Sequence, residues 1–304
     1  MSITVVQPGL LTTVQDVGRT GHLAEGMTAS GVMDRASFEI ANRLVGNAHG
    51  QDAVLECTMV GPVLRFDREC VCAIAGADMQ VTVQEIPVPR DRAFIMLAGQ
   101  TLHFSSAVNG CRTYLAVRGG IDVPKVMGSR STNLKCGIGG FQGRALKAGD
   151  RLSVGGTSSC IGYGYPVEPR VYADELTVRA IPGPQEDCFS KETVQAFYAT
   201  EYTVGNDSDR MALRLQGTPL NAEHVDIVSD GIVFGSVQVP HNGQPIILMA
   251  DHQTTGGYAK IATVCSADLP LLAQCRPGCR IHFRRITVRQ AQKLLVKQRK
   301  LESR

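Results

Sequence analysis

Gly99-Gln100-Thr101-Leu102-His103-Phe104 and Gly278-Cys279-Arg280-Ile281-His282-Phe283 carry glycine, histidine and phenylalanine in the same register. Four more landmarks recur in the same order around them. Ile3-Thr4-Val5 leads to Pro8-Gly9, and Leu176-Thr177-Val178 leads to Pro182-Gly183. Asp34-Arg35 follows Pro8 much as Asp209-Arg210 follows Pro182. Arg43-Leu44-Val45-Gly46 is echoed by Arg214-Leu215-Gln216-Gly217, and Ala77-Asp78 by Ala250-Asp251. Ordered landmarks at nearly constant spacing point to two copies of one fold, over roughly 1–105 and 176–285, with 106–175 as an extension of the first. Recurring turn chemistry is the alternative. The expected division is a first domain at 1–157, a linker at 158–175 rich in Gly and Pro, and a second domain at 176–304.

The runs between landmarks are short, apolar and often β-branched: Ile3–Val6, Val71–Ala75, Phe94–Leu97, Tyr114–Val117, Ile227–Val228 and Ile246–Met249. These have strand length. Helical patterns are few: Ala36–Leu44 after Asp34, Cys188–Thr200 with Asp187 as its expected N-cap, Ala267–Cys275, and Thr287–Lys300. Strands therefore dominate without βαβ alternation. The expected fold is mainly β, two tandem barrels or sandwiches with a few peripheral helices.

Composition narrows the function classes. The 304 residues are 43% hydrophobic and 19% charged, which fits a chain that buries a core. No apolar run approaches the ~18 residues of a membrane span, and Met1-Ser2-Ile3-Thr4 does not read as a secretory signal. A cytoplasmic protein is expected. The net charge of +3 gives no nucleic-acid signature, and its surplus is local: residues 284–304 hold eight Lys/Arg against one Glu. The ten cysteines lack zinc-finger spacing, and Cys57, Cys70 and Cys72 lie in apolar runs as small hydrophobes. Histidines 22, 49, 103, 224, 241, 252 and 282 form no HxH or HExxH cluster, so no metal is expected.

Two polar stretches stand out as sites. Asp251-His252-Gln253-Thr254-Thr255-Gly256-Gly257-Tyr258 leaves an apolar strand and suits a small ligand bearing amide and carboxylate groups. The same residues would also suit a turn capping the strand. Gly128-Ser129-Arg130-Ser131-Thr132 reads as an anion cradle, or as a solvated loop with an acidic partner. Arg210 is either a second anion contact or half of an ion-pair turn, and Gln244 offers an amide in the turn Pro240–Pro245. The glycine loop 137–143 lacks dinucleotide spacing and reads as a turn. No Walker A or GxSxG sequence occurs.

Seven ordered motifs carry a resemblance over nearly the whole chain. They are Pro8–Asp16 with Gly18-Arg19; Ala41–Asn47; Tyr114–Val117 with Gly119-Gly120-Ile121; Gly128–Thr132; Ile181–Pro184; Gln238–Pro240 with Gly243-Gln244-Pro245; and Asp251 with Gln253–Tyr258. In these the chain resembles the family that includes allophanate hydrolase subunit 2, the C component of bacterial 5-oxoprolinase and the biotin-dependent carboxyltransferases, which is similar to part of urea amidolyase. The resemblance implies a cyclophilin-like β-barrel in each half and partners, the 5-oxoprolinase subunits B and A. It implies ATP-dependent cleavage of the lactam 5-oxoproline to L-glutamate, with the ATP site not located. Phosphorylation of the lactam oxygen would activate an otherwise resonance-stabilised carbonyl, leaving the protein to position reactants and stabilise charge. Polar loops leaving an apolar strand framework suggest the roles on this reading: anion binding by Arg130, Ser131 and Thr132 and lactam contact by Gln253, Thr254 and Thr255. Asp251 orients the loop or acts as base, Tyr258 closes the pocket, and Arg210 and Gln244 bind substrate. Two alternatives accompany this reading: the carboxyltransferase component of a biotin-dependent urea or amide carboxylase, and a non-enzymatic antagonist of a kinase inhibitor. No biotinyl-lysine motif is present, so any biotin would reside on another protein.

Overall fold

The computed structural model describes residues 2–47, 52–156, 164–221 and 226–302. It divides into two compact units, residues 1–20 with 30–172, and residues 21–29 with 173–304. His49, His224, Cys160 and the first part of the expected linker, 158–163, lie outside the described residues. The remainder of that linker, 164–174, contains no helix or strand.

In chain order the first unit contains β1 (Ser2–Gln7), β2 (Leu11–Gln15), α1 (Arg35–Val45), β3 (Val54–Thr58), β4 (Val63–Phe66), β5 (Cys70–Asp78), β6 (Thr82–Val83), β7 (Ile86–Pro87), β8 (Ala93–Met96), β9 (Thr101–His103), β10 (Asn109–Val117), β11 (Ile121–Asp122) and β12 (Arg151–Val154). They form a seven-stranded sheet ordered β11-β12-β1-β4-β9-β6-β7 and a five-stranded sheet ordered β2-β3-β10-β5-β8. One core joins Ile3, Val5, Leu64, Phe66 and Leu102 of the first sheet to Leu55, Cys72, Ile74 and Leu115 of the second. Side chains alternate faces along a strand. Thus Cys72 and Ile74 point into this core, while Ala73 and Ala75 meet Phe38, Ala41, Leu44 and Val45 of α1. The five-stranded sheet is buried on both faces, which is why its central strands read as unbroken apolar runs. Small Ala73, Ala75 and Ala116 let the helix approach closely. Asp34 caps α1 by accepting from the Ser37 amide at 3.0 Å, and Gly46 ends it in a left-handed conformation, φ 76°.

The second unit contains β13 (Glu175–Pro182), α2 (Lys191–Ala199), β14 (Tyr202–Val204), β15 (Ala212–Gln216), β16 (Asp226–Gly231), β17 (Ser236–Gln238), β18 (Ile246–Leu248), β19 (Thr255–Tyr258), β20 (Lys260–Val264), α3 (Leu269–Leu272), β21 (Arg280–Arg285) and α4 (Val288–Glu302). Seven strands close a barrel in the order β13-β20-β17-β18-β15-β14-β21, with β21 returning to pair in parallel with β13. β16 and β19 form a separate two-stranded ribbon. Phe197 of α2 stacks on Phe283 of β21 at 4.5 Å between ring centroids, and Tyr202 meets Phe283 edge-on at 5.8 Å.

The mainly-β expectation with few peripheral helices describes what is observed. Three local expectations do not. Ser190, not Asp187, caps α2, accepting from the Thr193 amide at 3.1 Å, because Glu186–Cys188 form a 3-10 turn before the helix starts. The pattern at Ala267–Cys275 yields an α-helix only over Leu269–Leu272, and Asp268 gives its carboxylate to Arg179 instead of capping it. The repeat is also uneven at local level. Asp34-Arg35 opens a helix and Arg43–Gly46 ends it, whereas Asp209-Arg210 opens a strand and Arg214–Gln216 completes it. The Asp209 carboxylate accepts from the amides of Met211 and Ala212, making a turn, and Leu213 and Leu215 then alternate with exposed Arg214. The apolar residues after Asp34 instead recur at helical spacing. The nine described cysteines are free; Cys57, Cys70 and Cys72 are buried and Cys136 and Cys188 exposed.

Candidate functional site

In the first unit the Gly128–Thr132 loop is built around a carboxylate that the anion-cradle reading passes over. Asp16, buried just after β2, accepts from the Ser129 and Ser131 hydroxyls at 2.6 Å each and from the Arg130 amide at 2.5 Å. The buried Arg19 guanidinium donates to the carbonyl of Ser131 and to that of Val126. Ser131 and Thr132 are fully buried, and the Thr132 hydroxyl donates to the Val14 carbonyl at 2.9 Å. These hydroxyls hold the loop. Arg130 reaches outward, its side chain a quarter exposed, with Nε on the Val123 carbonyl at 2.9 Å and Nη2 3.4 Å from Asp122. Asp16 and Arg19 both lie in the Pro8–Arg19 motif, and that position was the available signal for them.

Beside the loop is a cleft of about 460 Å³, walled by Asp122, Val126, Arg151 and the glycine loop 137–143. Gly139 and Gly140 have φ +66° and +52°. A Cβ on Gly140 would lie 1.9 Å from the Thr132 hydroxyl, and one on Gly139 would lie 2.1 Å from the Ser131 carbonyl. Glycine is required here for close backbone approach to the Arg130 segment.

In the second unit Arg210, itself buried, and Asp251 form a bidentate pair, Nε to Oδ2 at 2.8 Å and Nη2 to Oδ1 at 3.2 Å. With both carboxylate oxygens engaged, the pair fixes the loop that leaves β18. Burial pushes the His252 imidazole below its ordinary pKa, opposed by the Gln253 carbonyl and the Asp251 charge. Gln253 follows, and its Oε1 is buried without a hydrogen-bond partner. Thr254 and Thr255 lead into β19, where Thr255 is exposed. At Gly256 a Cβ would lie 2.9 Å from Gln238 Nε2 and 3.5 Å from Gln253 Nε2, so glycine lets two side-chain amides lie against the ribbon. Gln238 donates to the Tyr258 carbonyl at 3.2 Å. Tyr258 is 38% exposed and meets His241 edge-on at 6.0 Å.

Below the ribbon lies a group that no sequence motif announced. Lys260, 2% exposed on β20, donates to Asp230 of β16 at 2.9 Å, and Gln185 donates to the same Asp230 oxygen at 3.1 Å. The Lys260 ammonium, with Gln185 and the Gly231 amide, holds the Asp230 carboxyl below the usual carboxylate range. A lone Lys two residues after Tyr258 carries no sequence signature, and only closure of the barrel buries it. Gln244 is spent elsewhere, exchanging two 3.0 Å hydrogen bonds with the backbone of Gly217. Of the expected site residues, the second unit thus gathers Arg210 with Asp251, and Gln253, Thr254, Thr255 and Tyr258 along the next segment. Arg130, Ser131 and Thr132 form the separate loop in the first unit. No metal was expected; among the described residues Glu175, Glu201 and His282 bring possible ligand atoms within 4.8 Å, and Arg280 ion-pairs with both carboxylates.

This arrangement can do two kinds of chemistry. Arg130 supplies a guanidinium for a carboxylate or phosphoryl oxygen. The Gln253 oxygen is a buried acceptor suited to an amide N–H, and the Gln238 amide lies beside the same Gly256.

Known proteins resemble this chain in sequence and in fold. The carboxyltransferase domain family, subdomain A and B, matches residues 25–285. The chain is 40% identical to the C component of 5-oxoprolinase from Escherichia coli, over 96% of this chain and 93% of that protein. It is 38% identical to the corresponding 5-oxoprolinase component of Haemophilus influenzae, over 93% and 90%. Among solved structures, the urea amidolyase of K. lactis superposes with a TM-score of 0.89 at 30% identity, covering 99% of this chain; the chain spans 20% of that protein.

Proposed function

The chain belongs to the carboxyltransferase domain family, and on that footing we propose that it is the C component of an ATP-dependent 5-oxoprolinase, acting with subunits A and B to open 5-oxoproline to L-glutamate. The observation that carries this reading is the end-to-end match: 40% identity spans nearly all of both this chain and the Escherichia coli protein. The chemistry of the second unit supports it. A lactam offers one N–H and one carbonyl oxygen. The buried Gln253 Oε1 would accept from the N–H, and a donor from the Gln238, Gln185 and Lys260 group would meet the carbonyl. Arg210-Asp251 positions this segment, and Thr254, Thr255 and Tyr258 extend its rim. Arg130 provides an anion contact on the first unit. ATP would supply the phosphoryl group that activates the carbonyl, so the protein's share is orientation and charge stabilisation.

The test is reconstitution with subunits A and B, measuring glutamate formed from 5-oxoproline. Omission of this chain should abolish turnover. Arg130→Ala should lower it by at least tenfold, since a charge-assisted contact is worth about 1.5–3 kcal/mol. Undiminished turnover without this chain would refute the reading.

A second reading has its own support. The fit to urea amidolyase, TM-score 0.89 over 99% of this chain, favours carboxyl transfer from biotin on another protein to a urea-like amide. Biotin-dependent incorporation of bicarbonate in place of 5-oxoproline cleavage would select it.

A further inference from the structure

We propose that the groove between β21 and α4 binds a phosphate-bearing organic molecule of nucleotide size. The cavity there measures about 550 Å³, within the range of small-molecule sites. Four cations line it: Arg179, Arg284, Arg285 and Lys293. Two are neutralised, Arg179 by the buried Asp268 and Arg285 by Glu186 at 2.8 Å. Arg284 and Lys293 have no carboxylate partner among the described residues. The groove therefore carries an uncompensated charge of two.

The strand register adds an independent argument. β13 and β21 pair so that Arg179 lies directly opposite Arg284. Like charges on adjacent strand positions repel. Asp268 relieves that repulsion only on the Arg179 side, and an anion between Arg284 and Lys293 would relieve the rest. Partly buried Ile286 and Leu294 provide an apolar wall for an organic moiety. Gln290 gives its Oε1 to the Thr287 amide at 2.8 Å, which leaves its Nε2 as a donor. Cations beside an apolar wall match a phosphoryl chain attached to a ring, and a groove of about 550 Å³ is of small-molecule size.

The test uses the full chain alone and titrates ATP, tripolyphosphate and adenosine by calorimetry. ATP should bind one to one and at least tenfold more tightly than adenosine or tripolyphosphate. Arg284→Glu and Lys293→Glu, both at exposed positions, should each weaken ATP binding at least tenfold. Lys297→Glu, on α4 but outside the cavity lining, should weaken it less than threefold. Equal weakening by all three substitutions would reveal diffuse charge attraction and overturn the proposal. So would ATP binding no better than either fragment, or no binding at all. This inference is independent of the 5-oxoprolinase reading, because binding by the isolated chain and glutamate formation by the reconstituted complex are separate readouts.

Discussion

Two carboxylates contribute to stability in different ways. Asp251 is paired on both oxygens with Arg210, whose side chain is only 4% exposed. Removing Asp251 takes from the buried Arg210 guanidinium its bidentate carboxylate, and breaking such a pair costs roughly 3–5 kcal/mol. Asp251→Ala should lower stability by about that much in urea unfolding, and adding Arg210→Met should recover part of the loss. A cost under about 1 kcal/mol for the single change would show that the pair does not fix the loop. Asp91 is buried, and burial raises its carboxyl to about 6, with Arg90 and Arg170 opposing the rise. Its unfolded value is about 3.9. Between those values the folded state holds a proton that the unfolded state has released, so this group makes stability fall as pH rises from about 4 through about 6. The span of about two units corresponds to roughly 2–3 kcal/mol at about 1.36 kcal/mol per unit. Asp91→Asn, which tolerates the local φ of 57°, should flatten that decline; an unchanged pH profile would locate its source elsewhere.

Elements explain why part of the site was legible and part was not. The Asp251–Tyr258 and Gly128–Thr132 stretches were visible because polar residues interrupt apolar runs. Their division of labour was not. Ser131 and Thr132 have the composition of an anion cradle, yet their hydroxyls bond to Asp16 and to the Val14 carbonyl, more than 110 residues earlier in the chain. Long-range pairing of that sort leaves no periodicity. Lys260 was invisible for the same reason, since the ribbon residue Asp230 receives it only once the barrel has formed. The helix α1 was readable to within a residue at each end, because its cap, apolar spacing and terminal glycine are all local. The glycine loop 137–143, read as a turn, is also the wall against which the Arg130 segment sits. Gly140→Ala should cost about 1–3 kcal/mol from its left-handed backbone and disorder Arg130, detected as increased amide exchange across 128–132. Unaltered exchange there would separate the two loops.

Across the fold as a whole, the mainly-β architecture was legible from short apolar runs and the scarcity of helical spacing, while the repeat landmarks matched like elements at some positions and unlike ones at others. Ile3–Val5 and Leu176–Val178 both lie in strands, whereas the Asp-Arg and Arg-Leu landmarks bound a helix in one half and a strand in the other. What no local pattern announced was the barrel seam, where Glu175–Ala180 lie beside Arg280–Arg285 in parallel. A hairpin can zip as soon as its turn exists, but a parallel seam waits for a distant strand. Arg280 comes 105 residues after the Glu175 it meets. Such high contact order slows folding, because chain entropy must be surrendered before the joining contacts repay it. While a ribosome is still adding residues around 270, the earlier barrel strands have no Arg280–Arg285 to receive them. A nascent chain stalled at that stage therefore leaves β13 as a raw edge, open to adventitious strand addition until the last longitudinal stitch is made.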